Sequence, residues 1–233
     1  MAQPTIITAQ STAYAADSDA SSTSRTYSDV VIPSNANTVI MFVVMDIAES
    51  GRTWNTLTYG NPLAVKSFQI SVSSGAPRAM EAAIFDVSCC GALSNDLVAT
   101  INGANTGANT RLGVVCSTGF VESFFTSSDR SATSGESIVF SPNYENNLFV
   151  LCTAADDHDG GFSYTTGTSI FVSSAGSTNV GVAAGSQATN ASDGSKTIAY
   201  TAPSEEVADF GVLLSEQRNP FEQAHGMIRD IVK

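Results

Sequence analysis

Two nearly continuous apolar runs constrain this chain more than any other feature of its sequence. The first extends from residue 39 to residue 45, and the second lies around Phe149. Each is long enough for one strand, and segments rich in Gly, Asn and Pro separate it from its neighbours, with no helical periodicity between them. Strands that are apolar on both faces belong in the centre of a protein. The sequence therefore predicts an all-β protein, a sandwich or a barrel, in which these two strands are central.

The composition indicates a surface that is poor in charge. The chain has 233 residues, of which 42% are hydrophobic and only 14% are charged, whereas ordinary globular chains carry about 25% charged residues. Its surface must therefore consist largely of Ser, Thr, Asn, Gly and Ala. Such a surface costs little to desolvate against a partner, which suits a protein packed in an assembly and also suits a secreted adhesin.

The charge balance excludes some classes of partner. The formal net charge is −12, with ten basic residues, and nucleic-acid affinity depends on neutralising phosphates with Lys and Arg. Direct nucleic-acid binding and binding to anionic membranes are therefore not expected. The run from residue 39 to residue 45 is far shorter than the ~20 residues that span a bilayer. The N-terminus has no basic region followed by an apolar one, so we expect a protein that is made in a cytoplasm without a signal peptide.

Three segments are predicted along the chain. Residues 1–24, rich in Ser, Thr and Ala, are predicted to form an extended N-terminal arm, in which residues 5–9 could pair as an edge strand, and residues 25–215 a single β-sandwich domain. No internal repeat with a consistent register is visible within it. Residues 216–233 are predicted to form a tail with a short helix, since Asn219 can cap a helix that has Pro220 at its first position.

The predicted C-terminal helix has an apolar face. Its members recur at helical spacing and are the candidate partner-binding residues: Phe221, Met227, Ile228 and Ile231. A helix of about three turns is marginal alone. We therefore expect it to dock either on its own sandwich or on a neighbouring subunit.

Candidate metal ligands are few. The densest acidic cluster contains Asp156, Asp157 and Asp159, and hard cations such as Ca²⁺ do take oxygen ligands from loops. The cluster lacks the glutamate at the twelfth position of an EF-hand, and a solvated acidic turn is the favoured interpretation. The four cysteines contain no CxxC pair and are predicted to be buried, reduced thiols. No cofactor is expected.

Catalytic motifs are also lacking in the sequence. The only histidines are His158 and His225, and no serine lies in a Gly-x-Ser-x-Gly elbow, so we do not expect an enzyme. Trp54 and Tyr59 allow two interpretations. They could form a platform on which a sugar stacks, but aromatic residues in strands more often pack in the core.

A family resemblance comes from the segment Leu57-Thr58-Tyr59-Gly60-Asn61-Pro62-Leu63, which follows the first apolar run. It resembles a "TYGG-x-x-L" turn of a jelly-roll-like module that is widespread in bacteriophage virion proteins and bacterial surface proteins. Here Asn61 and Pro62 replace the usual second glycine and its follower. The segments 147–151 and 208–214 are similar to two later strands of the module, so the resemblance covers about residues 26–215.

The resemblance implies an antiparallel jelly-roll-like β-sandwich and a structural role. We expect a non-enzymatic virion protein of a tailed phage, most simply a capsid decoration or cement protein that stabilises contacts between capsid subunits. Its partners would be the major capsid protein or other virion proteins, it would form homo-oligomers, and it would reside in the virion. One alternative is a phage tail or fibre component, and a second is a carbohydrate-binding adhesion module that uses Trp54 and the long loops.

Overall fold

Each of the two apolar runs forms the middle strand of a five-stranded antiparallel sheet in a computed structural model of the chain. The structure describes residues 3–15, 23–45, 53–60, 65–74, 76–86, 92–102, 110–130, 136–142, 146–156, 162–173, 180–201 and 207–216. Within these ranges the only helical elements are two single 3₁₀ turns, Thr8–Gln10 and Ala191–Asp193.

The described residues form sixteen β-strands. The first eight are β1 (Thr12–Ala15), β2 (Ser24–Ile32), β3 (Thr38–Met45), β4 (Thr53–Tyr59), β5 (Val65–Ser74), β6 (Ala76–Asp86), β7 (Leu93–Asn102) and β8 (Thr110–Ser117). The second eight are β9 (Phe120–Arg130), β10 (Glu136–Phe140), β11 (Asn147–Asp156), β12 (Ser163–Tyr164), β13 (Thr168–Val172), β14 (Val180–Thr189), β15 (Lys196–Thr201) and β16 (Val207–Ser215).

Four sheets result, and every strand pair in them is antiparallel. Sheet A has the order β1-β8-β3-β6-β5, and sheet B has the order β2-β7-β4. Sheet C has the order β13-β14-β11-β16-β9, and sheet D has the order β10-β15-β12. The prediction of an antiparallel all-β protein is therefore confirmed.

The four sheets stack in the order B, A, C, D, because sheets A and C are apolar on both faces. In β3, Val39, Met41 and Val43 pack against sheet B, while the alternate residues Ile40, Phe42 and Val44 pack against sheet C. Side chains of a strand point alternately to its two faces, so a continuous apolar run needs a cover on both sides. The single β-sandwich expected from the sequence would have two layers, whereas the described residues form four.

The second apolar strand, β11, has the same double burial. Leu148, Val150 and Cys152 face sheet A, and Phe149 and Leu151 face sheet D. Its hydrogen-bonded neighbours are β14 and β16, so it has no free edge. The prediction that the strands around Val39 and Phe149 are central is thus confirmed.

The N-terminal segment is not a free arm over the residues that the structure describes. Thr12–Ala15 is the edge strand of sheet A and pairs with β8, and Ile6 forms a bridge with Ser117. Between them, the Ser11 hydroxyl accepts a hydrogen bond from the Cys116 amide at 3.0 Å and donates one to the Ile7 carbonyl at 2.8 Å. These hydrogen bonds hold the segment together with partly buried apolar side chains, namely Ile6, Ile7, Ala13 and Tyr14.

We predict that Phe149→Ala lowers the free energy of unfolding by about 3–5 kcal/mol, as expected for deletion of a buried aromatic side chain. The Phe149 ring is fully buried and stacks on Phe140 at a centroid distance of 3.9 Å. The neighbouring Val139 is 61% exposed, and Val139→Ala provides the control, with an expected change within about 0.5 kcal/mol. Denaturant unfolding curves of both variants measure the effect. Similar losses in the two variants would contradict the assigned faces of the strands.

A second prediction concerns the N-terminal segment. Ser11→Ala leaves the Cys116 amide without its acceptor inside the protein, so it should cost about 1–3 kcal/mol. Thr8→Ala, three residues earlier and exposed, should cost little. Thermal melts of the two variants of the isolated protein make the comparison. If Ser11→Ala melts like the parent protein, the segment is not held by its own sheet.

Candidate interaction surfaces

The outer face of sheet B carries hydroxyl and methyl groups in register. Two rows cross its three strands, and their members are Ser24, Thr100 and Thr56 in one row and Thr26, Val98 and Thr58 in the other. The Thr56 and Thr100 hydroxyls hydrogen bond to each other at 2.6 Å. The alternate residues of the same strands, such as Leu57 and Tyr59, are buried against sheet A. We call these six outward residues the sheet B face.

The outer face of sheet D has the same chemistry. The sheet D face consists of Ser137, Val139, Ser163, Thr197, Ala199 and Thr201. Val139 is its most exposed large apolar side chain, at 61%. Beside this face, the Thr166 hydroxyl donates to the Thr197 carbonyl at 2.9 Å and accepts from the Ala199 amide at 2.7 Å. A short loop is thereby fixed along β15.

Charged side chains border these two faces. Lys196 and Asp193 form an ion pair of 3.6 Å at one end of sheet D. Asp96 lies on the outward side of β7, two residues before Val98, and accepts a hydrogen bond from the Asp29 amide at 3.2 Å. Neutral hydroxyl and methyl groups lose little hydration energy when another surface covers them, whereas charged groups lose much more. The two faces are therefore suited to packing against another protein.

Among the side chains that the structure describes, Arg25 and Asp209 are charged and buried inside the stack, each only 1% exposed. The Tyr200 hydroxyl, from sheet D, donates a hydrogen bond of 2.5 Å to the Asp209 carboxylate on sheet C. Because a buried carboxylate requires hydrogen-bond donors, this contact ties the outer sheet to the central one.

Tyr164 lies beside this pair, with its ring centroid 5.8 Å from that of Tyr200. Burial raises the pKa of the Tyr164 hydroxyl well above its ordinary value, and the nearby Thr153 hydroxyl opposes this effect only in part. Burial also raises the pKa of the Cys116 thiol from 9.0 to about 12. These groups are therefore neutral near pH 7 and serve packing rather than acid–base chemistry.

The aromatic residues proposed as a sugar platform do not form one together. Tyr59 is 1% exposed, and its hydroxyl donates to the Val30 carbonyl at 2.7 Å. The ring lies in the core between sheets A and B, so it offers no face to a sugar, and the core interpretation holds for it. Trp54 lies in β4 and pairs with Ile101 of β7. The Trp54 side chain lies outside the described part of the structure.

The other predicted site residues fall at or beyond the limits of the described ranges. Asp156 ends β11 and pairs with Val180, while Asp157 and Asp159 lie outside the described residues. Phe221, Met227, Ile228 and Ile231 also lie outside them. Among the residues that the structure does describe, no group of three or more His, Cys, Asp or Glu side chains could hold a metal ion. Cys116 and Cys152 are buried free thiols, as predicted.

Comparison with known proteins adds no relative. No family model matches the chain, and neither the curated proteins nor the solved structures include a significant match. In the described ranges, the structure contains no helix with the length and apolar character needed to span a membrane.

We predict that Tyr200→Phe costs about 1–3 kcal/mol of stability, because it leaves the buried Asp209 carboxylate without this donor. Tyr164→Phe is the matched control. It deletes the same hydroxyl from the same cluster, but the Tyr164 hydroxyl has only the neutral Thr153 hydroxyl beside it and no carboxylate to satisfy. Its removal should cost less than removal of the Tyr200 hydroxyl. Chemical denaturation measures the free energy of unfolding of both variants. Equal losses would show that the hydrogen bond between Tyr200 and Asp209 contributes no extra stability.

Proposed function

We propose that this protein is a non-enzymatic structural component of a tailed-phage virion, and that it binds the capsid as a decoration or cement protein. The observation that carries the proposal is the pair of outer faces. In a chain of net charge −12, each end sheet of the stack presents six neighbouring outward Ser, Thr, Ala or Val side chains, and the exposed Asp96 borders the sheet B face. Such surfaces favour close packing between subunits.

The strand order supports the fold that the resemblance implies. A jelly roll contains eight strands in two facing sheets, and viral capsid domains are among its uses. Strands β1 to β8 form sheets A and B, and strands β9 to β16 form sheets C and D. We infer that each set of eight is a jelly-roll-like sandwich. Because one fold serves many functions, the surface chemistry rather than the fold carries the functional argument.

The C-terminal segment supplies a second part of the proposal. The tail of residues 216–233 would contain the short helix, which begins at Pro220, and its apolar face of Phe221, Met227, Ile228 and Ile231 would bind the major capsid protein or a neighbouring copy of this chain. A helix of this length gains stability mainly from packing. Apolar anchors at the centre of an interface commonly dominate its binding energy.

Quantitative mass spectrometry of purified virions tests the location. If the protein is a cement, its copy number should be comparable with that of the major capsid protein. A tail or fibre component would be present in far fewer copies. Absence of the protein from virions that carry the gene would overturn the proposal.

A binding assay tests the surface. Thr58→Lys places a charge in the sheet B face, so it should weaken attachment to virions that lack the protein by about tenfold or more, while the melting temperature of the free protein changes little. Thr8→Lys adds the same charge at an exposed position of the N-terminal segment, away from both faces, and should bind normally. Equal binding by both variants would exclude the sheet B face as the contact surface.

A further inference from the structure

The two halves of the chain have the same strand order. Adding eight to each strand number of sheet A gives β9-β16-β11-β14-β13, which is the order of sheet C from its opposite edge. The same addition converts sheet B, β2-β7-β4, into sheet D, β10-β15-β12. An agreement across all eight strands indicates that one eight-stranded unit occurs twice, as β1–β8 and β9–β16.

The two units pack through their five-stranded sheets as a two-fold axis requires. The edge strand β1 of sheet A lies against β13 of sheet C, and the opposite edge strand β5 lies against β9. The central strands β3 and β11 share one apolar cluster. Each unit therefore covers the inner face of the other, and β1 and its counterpart β9 lie at opposite ends of the interface.

Close packing at this interface depends on a phenylalanine and a glycine. The Phe42 ring lies over Gly113 of the neighbouring strand, so closely that an added Cβ would come 2.1 Å from the ring. The same ring contacts Phe210 of the second unit, edge to face, at a centroid distance of 5.7 Å. It also stacks near Phe171 at 6.3 Å. Complementary apolar packing of this kind is typical of permanent subunit interfaces.

The covalent connection between the units is short. Only Thr118 and Gly119 separate β8 from β9. The N-terminal segment adds a polar contact across the junction, since the Gln3 amide donates to the Asn147 carbonyl at 3.0 Å. In contrast, every hydrogen-bonded strand pair of the four sheets lies within one unit. Contact between the units therefore depends mainly on side chains, as it does between subunits.

We propose that this protein is a covalently fused dimer, in which the inner faces of sheets A and C form a subunit-type interface and the partner of each face is the other eight-stranded unit. An isologous two-fold interface is the commonest way in which identical subunits associate. Fusion of the two units makes the association independent of concentration. This inference does not depend on the virion role.

Cleavage of the full-length folded protein tests the proposal. Because Gly119 is buried, a protease site with long flexible flanks is inserted between Thr118 and Gly119, and the uncut protein is the reference for the circular dichroism spectrum and the unfolding midpoint. The site is then cut after folding. The two fragments should remain together in size-exclusion chromatography with an unchanged circular dichroism spectrum. Their unfolding midpoint in denaturant should then rise with protein concentration, because association has become bimolecular. A cut protein that loses its β-structure, or whose midpoint is independent of concentration, would overturn the proposal.

Two further variants control for the insertion and for the interface. The same site inserted between the exposed turn residues Ser34 and Asn35 divides the first unit internally, so its cleavage should destabilise the protein more than cleavage at the junction. In the protein cut at the junction, Val150→Asp places a charge in the shared cluster and should separate two folded fragments. Leu151→Asp, on the opposite face of the same strand, should unfold the second unit instead. The proposal is wrong if cleavage at the two sites destabilises the protein equally. It is also wrong if Val150→Asp unfolds both fragments, because the two units would then not fold independently.

Discussion

The double burial of β3 and β11 is the constraint on which the rest of the structure depends. A strand with apolar side chains on both faces cannot end a stack of sheets, because one of its faces would remain in water. Sheets A and C therefore each need two covers. They provide one for each other, and the three-stranded sheets B and D provide the second. Burial of each such side chain contributes about 1.5–3 kcal/mol, so this arrangement dominates the stability of the protein.

Small residues allow the layers to approach each other closely. Phe42 lies over Gly113 in the shared cluster, and Tyr164 of sheet D lies over Gly185 of sheet C, where an added Cβ would come 2.5 Å from the ring. In both places an aromatic ring occupies the volume that a side chain would otherwise need. Each contact fixes an aromatic ring opposite one glycine of a strand. A shift of that strand by one residue would place a larger side chain under the ring, so the contact helps to define the strand register.

The sequence was most informative where hydrophobic patterning is strongest. The all-β class, the central position of the strands around Val39 and Phe149 and the burial of Cys116 and Cys152 all follow from apolar residues and were predicted. The strand Thr12–Ala15 was not, because the partly buried Ala13 and Tyr14 make no distinctive hydrophobic pattern in a four-residue edge strand, which also depends on hydrogen bonds with β8. Tyr59 allowed two interpretations, since an aromatic residue in a strand can face either side.

The duplication was not visible in the sequence for a different reason. Equivalent strands differ in length, as with β4 (Thr53–Tyr59) and β12 (Ser163–Tyr164), and also in side chains. Packing requires only apolar residues of suitable size at alternating positions, so two copies of one topology can diverge until no register between them remains. Strand order is insensitive to such changes. The identical order of eight strands in the two units is therefore the remaining evidence of the duplication.

The distribution of charge connects this architecture with the proposed role. Arg25 and Asp209 are buried, and Asp209 joins sheets C and D through Tyr200. The sheet B face and the sheet D face carry neutral side chains on equivalent strands of the two units, and Asp96 borders the first of them. A chain with net charge −12 repels another acidic surface, but at physiological salt this repulsion is largely screened beyond about 8–10 Å. The sheet B face and the sheet D face let such a chain make close contact at both ends of the stack, because their twelve neutral side chains cost less to desolvate than charged groups would.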